Sequence, residues 1–367
     1  MTDAPMTAHA ATATAGQVLS GYLTGQAGAF LRALPQAVGE AGARPGAVPS
    51  VNSPGGTAST GELLRAVRRI GGALHTFGAL LDPAWAQQSR SELRWLLNLL
   101  AQEPGYLRRT ARLLAALDSL SSTASPGESR GPGMLAGHQG APKARALLER
   151  QLTLARTRAH SVVLQELRSA RLHALADRMT LLVGETPLVE SAMGRAGEVL
   201  LPQASAAFTA LGAAVQRLPL SRATVAYQGD ALHRLGTAGS VPAQVPAQVP
   251  AQPRPVADAD SALATDDAPW QRVRILVKRA RYALEVCGRP VAELDALNEV
   301  LDRHQDATEA AVTVATAART PRITPATAYV LGVVHADQRL EVESARYAFG
   351  RQWPTLPQHG WQEWASA

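Results

Sequence analysis

Apolar residues recur at intervals of three and four along nearly the whole chain, and the alternation of a half-buried strand is almost absent. That period argues for amphipathic helices and against sheets. It predicts helices at about 16–39, 60–81, 88–102, 104–121, 142–169, 170–184, 190–217, 221–235, 269–288, 291–318 and 325–350. Aromatic residues make up only 4% of the chain and alanine and leucine dominate, which suits helix–helix packing. The expected class is all-α. Asp82 and Ser221 read as caps or stops, and Pro104 as the first residue of its helix.

Three stretches interrupt the pattern. Residues 42–60 and 121–141 are rich in Pro, Gly and Ser, and 237–268 carries a tandem Val-Pro-Ala-Gln repeat from Val241 to Gln252. Each proline there removes a backbone donor and pushes its predecessor out of the helical region, so extended linkers are expected. Between a disordered start at 1–15 and a tail at 351–367, the reading is one helical domain over 16–350. Its halves run from about 16 to 125 and from about 142 to 350.

At 367 residues the chain is long enough for a substantial apolar core, and 46% of it is hydrophobic. A formal net charge of +6 favours anionic partners, although lysine occurs only at Lys143 and Lys278 and the excess rests on arginine. Cys287 is the only cysteine, which excludes an internal disulfide framework and any multi-cysteine metal site. It lies on an apolar stripe and is expected to be inert. Neither a secretory leader nor a membrane span is expected, and the anticipated location is the cytoplasm.

Residues 270–288, WQRVRILVKRARYALEVCG, are the most informative segment. On a helix, Val273, Leu276, Val277, Ala280, Leu284 and Cys287 form one apolar stripe. Arg274, Lys278, Arg281 and Glu285 fall together on the other side, with Arg272 and Arg279 on its flank. A basic row that repeats at each helical turn of about 5.4 Å can meet successive phosphates of an extended chain. Arginine adds bidentate contacts. Residues 61–77, GELLRAVRRIGGALHTF, overlay this segment when Val67 is set on Val277. Arg68 then falls on Lys278, Arg69 on Arg279 and His75 on Glu285, while Leu64 and Gly71 replace Arg274 and Arg281. Residues 93–100 and 294–301 also correspond, which suggests an internal duplication of a helical unit.

At these residues the chain resembles the CHAD family, the conserved histidine α-helical domain. That family carries two copies of a helix reading His-x-x-Arg-hydrophobic-x-x-Arg/Lys-Arg-x-Arg, the second commonly continued by Tyr-x-x-Glu. Arg274, Ile275, Lys278, Arg279, Arg281, Tyr282 and Glu285 stand in that register. Residues 297–310 resemble the family's following helix through Gln305-Asp306-Ala307, residues 93–109 its first-half partner, and residues 167–183 its middle. Both motif histidines are replaced, by Gly61 and Gln271, and Pro104-Gly105 stands where the first half has an Arg-Asp pair.

The resemblance implies two pseudo-symmetric helical bundles with a basic groove or cavity between or along them. It also implies non-enzymatic binding of inorganic polyphosphate or another polyanion. The candidate contacts are Arg274, Lys278, Arg279, Arg281, Arg68, Arg69, Arg65, Arg272 and His75, supported by Tyr282, Glu285 and Asp306. Because the first copy is depleted, the second should carry most of the affinity. The alternative is a scaffold protein on polyhydroxyalkanoate or polyphosphate storage granules, with little anion affinity of its own.

Asp295, Glu299, Asp302, Asp306 and Glu309 form an acidic row on the helix at 291–318, best read as partners of basic neighbours or as solvated groups. His304 lies on that helix's apolar side and is expected to be buried and hydrogen-bonded. His233 is taken as incidental. No P-loop, nucleophile elbow, His-Glu-x-x-His or paired Glu-x-x-His is present, so neither catalysis nor a metal or other cofactor is expected.

Overall fold

The computed structural model describes residues 13–42, 58–122, 134–223, 256–289 and 291–356. Among them there is no strand, only two isolated bridges, Thr14 with Arg195 and Leu81 with Leu188. The helices are α1 (Ala15–Gly42), α2 (Ala58–Thr76), α3 (Pro83–Ser121), α4 (Ala141–Glu166), α5 (Ala170–Gly184), α6 (Ala196–Val215) and α7 (Leu220–Ala223). They continue with α8 (Val256–Val286), α9 (Ala292–Ala318) and α10 (Pro325–Gln352). The all-α expectation holds.

The differences from the sequence reading have local causes. The helices expected at 88–102 and 104–121 are one continuous α3, with Pro104 inside it. A proline in mid-helix forfeits one backbone hydrogen bond. Here α3 buries Leu93, Leu96 and Leu99 before the proline and Leu113 and Leu117 after it, and this packing outweighs the local penalty. Asp82 caps α3 by accepting a hydrogen bond from the Trp85 N–H at 2.7 Å. The expected linkers are shorter on one side: α2 begins at 58, and α8 at 256 with Pro269 inside it. Residues 43–57, 123–133 and 224–255, which include the Val-Pro-Ala-Gln repeat, His233 and most of the helix expected at 221–235, lie outside the described residues. At the other end the expected tail begins inside the fold, because Trp353 and Leu356 are buried against the core.

Two apolar cores hold the helices. The larger joins α1, α2, the first part of α3, α5, α6 and α8 with the start of α9 and the end of α10. The smaller is built by Leu113 and Leu117 of α3, Leu148 and Leu152 of α4, Val314 of α9 and Val330, Leu331 and Val334 of α10. Thus α3 spans both cores, and each core draws helices from both halves of the sequence. By length and composition α6 alone among the described helices is apolar enough to cross a membrane, but Leu200, Ala204, Phe208 and Leu211 are buried in the larger core.

Candidate polyanion surface

The two basic helices of the sequence pack against each other. Three contacts fix the direction: Arg69 meets Glu285 at 2.7 Å, Gly72 lies against Tyr282, and His75 feels the charge of Arg279. Rising numbers on α2 meet falling numbers on α8, so the pair is antiparallel. Gly72 makes the close approach possible, since a Cβ there would sit 2.6 Å from Tyr282 Cδ2 and 2.9 Å from its Cβ. Tyr282 is buried in this joint, and Arg281 lies over its ring at 5.4 Å. Tyr22 of α1 closes the joint from beneath, its hydroxyl pushed well above the ordinary phenol range by burial and then by Glu285.

On one side of the joint α9 packs along α8 and meets its basic row with carboxylates. Arg274 donates from Nε to Asp302 at 2.6 Å, and Lys278 donates to both oxygens of the same carboxylate at 2.9 Å. The Asn298 amide donates to Asp302 at 3.1 Å. Arg68 of α2 and Arg108 of α3 stand close enough to act on one another electrostatically. Burial pushes the Asp302 carboxyl up, but Arg274 and Lys278 outweigh it and hold the carboxyl below its ordinary value. Burial, then the neighbouring Arg274, lowers the Lys278 ammonium. Arg68 is likewise lowered, mainly by burial. Further along, Arg281 pairs with Asp295, Arg108 with Asp306 at 3.7 Å, and Arg109 with Glu309. Burial raises the Asp306 carboxyl. The acidic row is thus mainly a set of ion-pair partners.

The other side of the joint has a different character. Arg279 of α8 feels the charges of Arg90 and Arg94 of α3 and of Arg272 on its own helix, and His75 of α2 lies beside Arg279, Arg90 and Arg94, with Nδ1 3.1 Å from Arg90 Nη2. Among the described residues no carboxylate is within ion-pairing distance of these four arginines. Partial burial, then the charges of Arg279, Arg90 and Arg94, push the His75 imidazole down to about 4, so it is neutral at pH 7.

The structure therefore divides the sequence-predicted residues. Arg274, Lys278 and Arg281 pair with carboxylates of α9 and Arg68 stands beside them, Arg69 is held by Glu285 in the joint, and Arg279 and His75 lie beyond it, with Arg272 near Arg279. Arg65 is exposed and meets Glu62 one turn away at 3.8 Å. Sequence reasoning missed Arg90, Arg94, Arg108 and Arg109. The first two stand one turn apart on α3, a spacing visible in the sequence, and the last two follow Tyr106-Leu107, just after the Pro104-Gly105 that replaces the family's Arg-Asp pair.

His304 is buried as expected; it accepts from Arg346 Nε at 3.3 Å and stacks on Trp270 with centroids 5.7 Å apart. Burial pushes the Cys287 thiol up to about 12, which leaves no reactive thiolate. No cluster of three or more acidic, histidine or cysteine side chains suited to a metal occurs among the described residues.

Comparison with known proteins agrees with this architecture. Residues 58–315 match the family model of the CHAD domain. PptA from Streptomyces chartreusis is 40% identical, with a TM-score of 0.70 over 94% of this chain and 100% of that one. The CHAD domain from the plant Ricinus communis, 18% identical, shares the fold with a TM-score of 0.57 over 97% of this chain and 98% of that one. No curated protein matches the chain.

Proposed function

The chain belongs to the CHAD domain family, and on that premise we propose that it binds inorganic polyphosphate, without chemistry, along the basic row of α8 where it meets α9, with Arg68 of α2 and Arg108 of α3 beside it. The family is associated with polyphosphate binding. The observation that carries the reading is the convergence of Arg68, Arg274, Lys278 and Arg108, from three helices, on Asp302 and Asp306. The cations there outnumber the carboxylates, and the excess is solvent-accessible: the Arg274 and Lys278 side chains are 27% and 23% exposed.

Asp302 serves this reading in two ways. It holds two cations in a fixed geometry before ligand arrives, and it can be exchanged for phosphate oxygens that accept the same charge-assisted bonds. A linear phosphate chain has no bases to read, so recognition is electrostatic and affinity falls steeply with salt.

The test is a titration of the full chain with long-chain polyphosphate at two salt concentrations, with DNA of equal charge as competitor. The Arg274→Ala/Lys278→Ala/Arg281→Ala variant is run beside it. Binding that weakens with salt, resists DNA and drops in the variant supports the proposal. Equal competition by DNA overturns it.

One observation favours the second reading, a granule scaffold: Arg69, Arg274, Lys278 and Arg281 already carry carboxylate partners. That reading expects a flat titration, and co-purification with storage granules that survives charge reversal at Arg274, Lys278 and Arg281.

A further inference from the structure

The ion pairs that join α8 to α9 do not by themselves fix how the two helices meet. Their contacts form one antiparallel ladder: Arg281 meets Asp295, Lys278 and Arg274 meet Asp302, and the Trp270 ring stacks on His304 with centroids 5.7 Å apart. The acids of α9 recur about once per turn, at Asp295, Glu299, Asp302, Asp306 and Glu309. The cations of α8 recur at a similar interval, at Arg274, Lys278 and Arg281. A slip of one turn, about 5.4 Å, would carry Arg274 from Asp302 to Asp306 and still leave cations facing acids. Solvent-accessible pairs contribute little each, so they discriminate poorly between such registers.

The buried end of the ladder admits only one register. Arg346 of α10 is buried there, and its guanidinium touches three helices. Nη2 donates to Asp267 of α8 at 2.5 Å and to the Asp266 carbonyl at 3.3 Å. Nε donates to His304 Nε2 of α9 at 3.3 Å, and Nη1 to Glu343 of its own helix at 2.8 Å. Arg339, two turns earlier on α10, donates to both oxygens of the buried Asp267 carboxylate, at 2.8 and 3.2 Å. The Arg346 guanidinium also lies 5.4 Å from the centre of the Trp270 ring. Burial, then the charge of Arg346, lowers the His304 imidazole to about 4, which keeps it the neutral acceptor this contact needs. A one-turn slip of α9 would put Val300 or the shorter Thr308 in place of His304. A buried donor would then lose its acceptor, at a cost that an exposed pair formed elsewhere does not offset.

We infer that Arg346, with Asp267 and His304, is the positioning device of the anion-binding face: it fixes the register in which α8 presents Arg274 and Lys278, and holds it when a phosphate chain draws these cations away from Asp302. The identity of the ligand rests on the polyanion reading; the register does not. Once phosphate oxygens replace Asp302, the central rungs no longer tie α8 to α9. The buried rung is the one a ligand cannot reach. A buried polar contact of this kind selects one alignment among near-equal alternatives more than it stabilises the fold.

The experiment pairs a ligand-free readout with a binding readout, both on the full chain. Lys278 and Lys143 are the only lysines, so isotope-labelled lysine gives two side-chain NMR signals, with the exposed Lys143 as reference. Burial, then Arg274, lowers the Lys278 ammonium, which should titrate below Lys143. Arg346→Met/Asp267→Leu replaces the central buried pair by apolar groups, an exchange that often leaves stability unchanged. There the Lys278 titration should move to that of Lys143, and long-chain polyphosphate affinity should fall about tenfold. Asp302→Asn should raise affinity in the native background and lower it, by about fivefold, in the variant, where neither rung remains. A purely structural role of the cluster gives Asp302→Asn the same sign in both. Arg346→Lys keeps the charge without the fork; it serves if the double variant misfolds, and should show the same signs with smaller shifts. An unchanged Lys278 titration in both variants, or one sign for Asp302→Asn in every background, overturns the inference. A flat polyphosphate titration of the native chain defeats the polyanion reading alone, and the Lys278 signal then decides the register by itself.

Discussion

The helix α8 carries cations on two sides, and its neighbours treat them differently. Toward α9, Arg274 and Lys278 share Asp302, and Arg281 has Asp295. Toward α3, Arg279 feels the charges of Arg90 and Arg94, with Arg272 of its own helix beside it. The paired side is assembled in advance, because carboxylates offset the repulsion of crowded cations, but an incoming phosphate must displace them. The unpaired side has no internal competitor and is held together only by the packing of its helices. The number of arginines on a helix therefore says less about anion binding than the acids on the helices that face it.

Both sides hang on the contact between Gly72 and Tyr282, and the largest expected effect comes from breaking it. Gly72→Ala would place a Cβ 2.6 Å from Tyr282 Cδ2 and 2.9 Å from Tyr282 Cβ, an atom that cannot swing away without moving the backbone. Overpacking of this kind costs about 2–3 kcal/mol. Thermal unfolding should move down by several degrees, and the affinity for long-chain polyphosphate should fall with it. An affinity unchanged by that loss of stability would show that the basic row is not carried on this joint.

Much of this was legible in the sequence. The three-and-four period identified the helices and buried stripe of α8, with Val273, Val277, Ala280 and Leu284 all buried. What the period could not supply was the neighbour. Asp302 was visible as one member of an acidic row, yet its meeting with Arg274 and Lys278 depends on how α9 crosses α8, a tertiary fact. Arg90 and Arg94 lay in a helix read for its resemblance to a later segment, and only the packing of α3 against α2 brings them to His75 and within electrostatic reach of Arg279. Pro104 misled for a related reason: a local rule ended the helix, and burial of leucines on both sides of the proline continued it.

Acid sharpens the comparison, because each region has an imidazole held near 4. His304, on the helix that supplies Asp302, is buried, and burial followed by the charge of Arg346 lowers it to about 4. The unfolded chain, titrating near 6.5, binds more protons than the native one between these values. Stability is therefore lost as the pH falls through that window, by about 2 kcal/mol at pH 5 from His304. The exposed His75 contributes in the same direction. Denaturant midpoints between pH 7 and 5 should fall, and His304→Gln should flatten that slope more than His75→Gln. Equal flattening would place the two imidazoles in equivalent settings, against the contrast drawn between the regions.

The smallest expected effect bears on the paired side alone, and it has opposite signs on stability and binding. In Asp302→Asn the Arg274 and Lys278 groups lose their shared counter-charge. The amide still offers one acceptor oxygen, and both side chains reach water, so the fold should weaken only slightly. A phosphate chain on the basic row no longer competes with a carboxylate for those donors. Its affinity should rise about fivefold, close to 1 kcal/mol, with a steeper dependence on salt because more cationic charge is free to release counterions. A fall in long-chain affinity would mean instead that Asp302 is needed to hold Arg274 and Lys278 in place, and that pairing builds the basic row more than it blocks it.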